Sequence, residues 1–148
     1  MKLVTYAKVP PLDKLMAKLD PITKDRELVD LRLFIEARKA DAKNAALPDM
    51  HAVGLAFQTK VLSLPLEVRF AALDLLRCAM VDPRVSGYFA EETGMGTVAA
   101  LLRHINGLDT CPHNLRLVTI HLACNLFSSP LCAREVLKEG KCWFDRAC

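Results

Sequence analysis

The sequence predicts an all-α fold of the armadillo/HEAT-like α-solenoid kind, with about three and a half repeats in one domain over residues 1–148. Three observations point there. The 148 residues are 52% hydrophobic and 25% charged, a globular balance, with Leu and Ala prominent and Gly sparse. Apolar residues recur at helical spacing, and strand-like alternation of β-branched residues is nearly absent. The stretch LEVRFAALDLLRCAMVDP, from Leu66, reappears in register as HNLRLVTIHLACNLFSSP, from His113. The offset is 47 positions throughout: Arg69 falls on Arg116, Leu73 on Ile120, Met80 on Phe127 and Pro83 on Pro130. A long apolar helix stopped by proline and repeated at that interval is a solenoid signature, and solenoids bind extended segments in a concave groove.

The elements follow in order. Residues 1–10 are an extended lead-in that ends at Pro10 and Pro11. From Pro11 to Leu19 a short amphipathic helix carries Leu12, Leu15, Met16 and Leu19 on one face. Asp20-Pro21 closes it, and Thr23 is the expected N-cap of a helix reaching about Ala46, whose polar tail frays. Leu47-Pro48-Asp49 restarts the chain for a helix over Met50 to Leu62, and Ser63 to Pro65 turns a corner. Leu66 to Val81 is apolar nearly all round, so it belongs between neighbours. Asp82-Pro83 stops it, and a short helix covers Arg84 to Glu92. Thr93-Gly94-Met95-Gly96 forms a joint, and Thr97 to Ile105 is helical with Asn106-Gly107 as its C-cap. Cys111-Pro112 opens the long helix from His113 to Phe127, and Pro130 starts another that ends near Gly140.

The same residues exclude several functions. A net charge of +3 with scattered Lys and Arg lacks the basic block that grips phosphate backbones, so no nucleic-acid partner is expected. No run approaches the roughly 20 apolar residues of a membrane span, and the start MKLVTYAKVPPLDK has no secretory h-region. The chain therefore reads as cytoplasmic, with the nucleus as a second compartment. The six cysteines contain no CxxC and no zinc-finger spacing with His, so neither disulfides nor metal nor any cofactor is expected. No GxSxG, phosphate loop or HExxH occurs, and His121 with Cys124 reads as two core residues rather than a catalytic dyad.

Two segments resemble a known family. Phe70, Ala72-Leu73-Asp74, Leu76-Arg77, Pro83 and Val85 look like a helix of the PUL domain of the phospholipase-activating protein family. Leu115-Arg116, Cys124-Asn125 and Phe127 resemble that domain's next buried helix, and Tyr6 stands where its lead-in carries an aromatic. The resemblance implies a non-catalytic armadillo-like module. In the family it binds the C-terminal tail of the hexameric AAA ATPase called valosin-containing protein, in ubiquitin-dependent protein handling. The family domain has more repeats, which implies that this chain is the N-terminal part of a longer domain or a shortened member.

Candidate peptide-binding residues come from the helical wheel. With Arg69 as origin, Arg77 lies at about 80° and Asp74 at about 140°; with Arg116 as origin, His121 lies at about 140° and Asn125 at about 180°. Arg77, Asp74, His121 and Asn125 therefore form one face, with Asn114 beside them, and Arg69 and Arg116 form another. An Asn amide both donates to and accepts from an extended backbone, and an Arg beside it supplies a fork for carboxylates. The first face is preferred for that reason. Each residue also has a structural role to weigh: an ion pair of Arg77 with Asp74, an inter-helix hydrogen bond for Asn125, simple packing for His121, and snorkelling at helix starts for Arg69 and Arg116. Two other functions remain to be compared, a carrier of basic peptides and a cysteine-dependent enzyme.

Overall fold

The computed structural model describes residues 4–92, 96–132 and 134. Among the described residues seven α-helices with defined bounds run in order: α1 (Leu12–Leu19), α2 (Arg26–Ala40), α3 (Met50–Gln58), α4 (Leu66–Ala79), α5 (Pro83–Glu91), α6 (Gly96–Asn106) and α7 (His113–Phe127). A 3-10 turn, Val61–Ser63, sits between α3 and α4. No strand occurs among the described residues. The fold class is the all-α solenoid that the apolar spacing predicts.

α4 is the centre. Ala71, Ala72, Leu73, Leu75, Leu76, Cys78 and Ala79 are all buried, so no broad face is left for water. It packs most extensively on α7, its repeat partner, and on α1 and α2 behind it. α3 leans on α6, and α5 and α6 both reach α7. The buried Leu and Phe residues join into one continuous core from Leu12 to Cys132. Small residues on α4 let two helices approach it on opposite sides, which is why a helix apolar all round is stable here.

The boundaries differ from the sequence reading in instructive places. Asp25, not Thr23, holds the N-cap position of α2; the Thr23 hydroxyl donates to Asp25 Oδ2 at 2.7 Å and accepts from the Asp25 amide, so it braces the cap instead of being it. α2 ends at Ala40 because Asp41 turns to extended backbone and its carboxylate accepts from the amides of Lys43 and Asn44. α3 stops at Gln58, short of Leu62: the Thr59 hydroxyl donates to the Leu55 carbonyl, and the chain tightens into the 3-10 turn. α4 closes at Ala79 and α6 runs from Gly96 to Asn106, each within two residues of expectation. Of the joint expected over Thr93 to Gly96, 93–95 lie outside the described residues and Gly96 already begins α6; the helix expected from Pro130 is helical over 130–132, and its run toward Gly140 lies outside the described residues.

Asp82 locks the α4–α5 corner. Its side chain accepts from the Arg84 amide at 2.9 Å, caps α5 behind Pro83, and pairs with the Arg84 guanidinium at 2.9 Å and with Arg38 of α2 at 3.0 Å. Burial pushes this carboxyl up, but the hydrogen bonds and charge of Arg84, with Arg38 behind, outweigh it and hold it below the ordinary range. A carboxyl depressed in the folded state adds stability above its unfolded value, lost as pH falls through the folded one. Asp82→Ala should therefore cost roughly 1–3 kcal/mol at pH 7. The difference from wild type should shrink below about pH 4, as paired urea titrations at both pH values would show.

Candidate functional site

The site begins with the lead-in. Pro10 and Pro11 keep the chain extended ahead of α1, and Thr5 to Lys8 cross the seam where α4 meets α7. Two side chains grip this backbone. Asn125 accepts from the Tyr6 amide at 2.7 Å and returns its own amide to the Tyr6 carbonyl at 3.1 Å. Its Nδ2 also donates to the Arg77 carbonyl at 3.1 Å. Arg77 O belongs to the last turn of α4, where carbonyls lack intrahelical partners, so Asn125 satisfies a group that the helix end leaves over.

Arg77 supplies the other half of the grip. Its two terminal nitrogens donate to Tyr6 O at 2.8 Å and to Lys8 O at 2.9 Å. Asp74, one turn earlier, accepts from Arg77 Nε at 2.5 Å and fixes the plane of the guanidinium. Tyr6 stacks on His121 of α7, with ring centroids 3.7 Å apart and planes 11° from parallel. Burial, then the Arg77 charge, hold the His121 imidazole below its ordinary value, with Asp74 acting in the opposite sense.

Beside the strapped segment lies an open groove of about 730 Å³. Phe70 and Asp74 of α4 form one wall and Asn114, Leu117, Val118 and His121 of α7 the other, with Thr5 to Lys8 along the edge. Its lining is mostly apolar. Lys18 of α1 stands over the Phe70 ring, 5.5 Å from the centroid, and puts a cation at the rim.

Four of the sequence-derived residues thus gather in one place: Asp74, Arg77 and His121 line the groove, and Asn125 sits beneath Tyr6. Arg69 and Arg116 do not join them. Arg69 is buried and donates twice to the Leu64 carbonyl, at 3.2 and 2.7 Å, bracing the corner before α4; its third nitrogen meets His104 Nε2. Those contacts commit Arg69 to holding the corner before α4. Arg116 lines a separate groove of about 450 Å³ between α6 and α7, with Ile105, Ile120, Cys124 and Phe127. Cys124 and His121 face different grooves. Sequence reasoning missed what fills the clamp, because a backbone bound through its amide and carbonyl leaves no mark in residue identity. Tyr6 was the one visible signal.

Two measurements probe this geometry. Asn125→Ala strands the Tyr6 amide and the Arg77 carbonyl, and should lower stability by roughly 1–3 kcal/mol in urea while speeding hydrogen exchange at Tyr6. His104 is also held below its ordinary value, by burial and then by Arg69. For a histidine depressed in the fold, the unfolded chain binds protons first. Stability is complete above about pH 6.5 and declines as pH falls through that unfolded value toward the folded one. Tm should therefore drop between pH 7 and pH 5, and a His104→Gln, His121→Phe double variant should flatten that slope.

No curated protein and no solved structure gives a significant match to this chain. A family model described as the PUL domain matches residues 1–148, the whole chain. A helical protein-interaction module whose lead-in is strapped across its two central helices is thereby assigned: the chain belongs to the PUL domain family.

Proposed function

We propose that this domain binds the acidic C-terminal tail of a hexameric AAA ATPase of the valosin-containing protein type, as an adaptor in ubiquitin-dependent protein handling in the cytoplasm and nucleus, and that it is not an enzyme. The family supports a protein partner, and the residue-level support is the Asp74–Arg77–His121–Asn125 cluster beside an open groove. The groove suits a chain end: Phe70, Leu117 and Val118 offer apolar surface for an aromatic side chain, while Lys18 at the rim faces the carboxylates. Arg77 already spends its guanidinium on Asp74 and on two backbone carbonyls, so the tail's charge is met by the exposed lysines.

A carrier of basic peptides would need an acidic groove, and the carboxylate in this lining, Asp74, is neutralised by Arg77. A cysteine nucleophile finds little support either. Burial pushes the Cys78 and Cys132 thiols up to about 11, away from the reactive thiolate.

The test is calorimetry with a synthetic acidic peptide ending in an aromatic residue. Micromolar affinity is expected, falling at least about fivefold for Lys18→Glu and for Leu117→Asp. Absence of binding, or affinity unmoved by both exposed substitutions, would overturn the reading. Arg77→Glu is a poor probe, since it also unstraps the lead-in.

A further inference from the structure

A second groove, of about 360 Å³, lies away from the lead-in, between α3 and the junction of α5 with α6. Gly54, Leu55 and Gln58 of α3 face Tyr88 of α5 and Glu92 across it. It shares no lining residue with the groove at the α4–α7 seam. Its lining holds a carboxylate and neither lysine nor arginine, a local departure in a chain of net charge +3.

That carboxylate, Glu92, holds the start of α6. Its Oε2 accepts from the Thr97 amide at 3.0 Å, and the Thr97 hydroxyl lies 2.8 and 2.9 Å from the two oxygens. Gln58 donates to the same hydroxyl at 2.9 Å, which leaves the hydroxyl proton for Glu92. One proton serves one oxygen at a time, so the carboxylate fills about two of its roughly four acceptor places. Gly54 makes the close approach possible: a Cβ there would meet Glu92 Oε1 and Thr97 Oγ1 at 3.2 Å. Glu92 is half-buried, and the ion pairs among the described residues all engage other carboxylates. A charge partly withdrawn from water without a counter-ion favours a ligand that brings one.

The neighbours of Glu92 suit an alkylammonium. Tyr88 is half-buried, and burial, then the Glu92 and Asp49 charges, push its phenol up from the ordinary value, so both carboxylates bear on this ring. An aromatic ring attracts an ammonium through its quadrupole, in addition to the carboxylate's charge. Leu55 is exposed beside them and offers contact to an apolar stem. The free acceptor places also choose between cations. A guanidinium fork needs both oxygens of a carboxylate, and the Thr97 amide already holds Oε2; an ammonium needs only one.

We infer that this groove docks a lysine side chain of a protein partner, with the ammonium on Glu92 and Tyr88 and the stem along Leu55. The domain then offers two surfaces of different charge preference, and a lysine-bearing partner can sit on it while the seam groove is occupied. The inference does not rest on the tail-binding reading, and either can fail alone.

The probe is the peptide acetyl-Gly-Leu-Lys-Gly-amide, titrated into the full nitrogen-15-labelled chain, with its Nε-acetyl-lysine and arginine forms as controls. Binding at about millimolar affinity is expected, read as chemical-shift changes at the Gly54, Leu55 and Thr97 amides. Acetylation should remove it, arginine should weaken it, and about 0.5 M salt should weaken it. Glu92→Gln keeps an acceptor for Thr97 and loses the charge, so affinity should fall at least about fivefold. Leu55→Ser, at an exposed position, should lower it at least about twofold. No shift at those amides up to about 10 mM peptide, equal shifts with the acetylated peptide, or affinity unmoved by both substitutions overturns the inference. Shifts confined to Phe70 and Leu117 overturn it as well, because they put the lysine at the seam. Should Glu92→Gln lose the fold, the acetylated control and Leu55→Ser decide.

Discussion

One buried amide ties together three parts of the chain that are far apart in sequence. Asn125 of α7 accepts from and donates to Tyr6 of the lead-in and donates to the carbonyl of Arg77 at the end of α4. A buried amide is costly unless its donors and acceptor are met, and here both kinds are. The α4–α7 seam is the most extensive helix contact among the described residues, and its apolar part is non-directional. The bond to Arg77 O fixes the register of the two helices, because that carbonyl exists as an acceptor only where α4 ends. The groove, the stack of Tyr6 on His121 and the aim of Arg77 all follow from that register.

The fold was legible because its signals are periodic and apolar. The repeat of 47 located α4 and α7, and their buried positions follow from runs that leave no polar face. Boundaries were legible only where Pro or Gly acts. They slipped where a side chain competes with the backbone, as Thr59 does by bonding Leu55 O and Thr23 by bracing Asp25. Such competition depends on local geometry that residue type does not specify.

The pair Arg69 and Arg116 shows how matched positions part ways. The repeat makes them equivalent in sequence, yet Arg69 faces the Leu64 carbonyl and His104 while Arg116 lines the surface between α6 and α7. A repeat preserves the direction in which a side chain points relative to its own helix. It does not preserve what the neighbouring unit places there. The unmatched positions 74 and 77 of α4 and 121 and 125 of α7 converge instead, because α4 and α7 present them to the same seam.

That convergence also decides where selectivity for charge has to come from. An arginine beside a groove suggests recognition of carboxylates, but Arg77 has Asp74 on one nitrogen and backbone carbonyls on the other two. Its charge is balanced locally and its donors are committed to shape rather than sign. The clamp is therefore close to indifferent to the charge of a strand, and the cations left to sense it are lysines in high dielectric, such as Lys18 at the groove rim. Exposed cations contribute weakly and are screened within roughly 8–10 Å at physiological salt. The contacts at this seam therefore divide into a salt-insensitive set, the backbone pairing and ring stacking on Tyr6, and a salt-sensitive set at the rim.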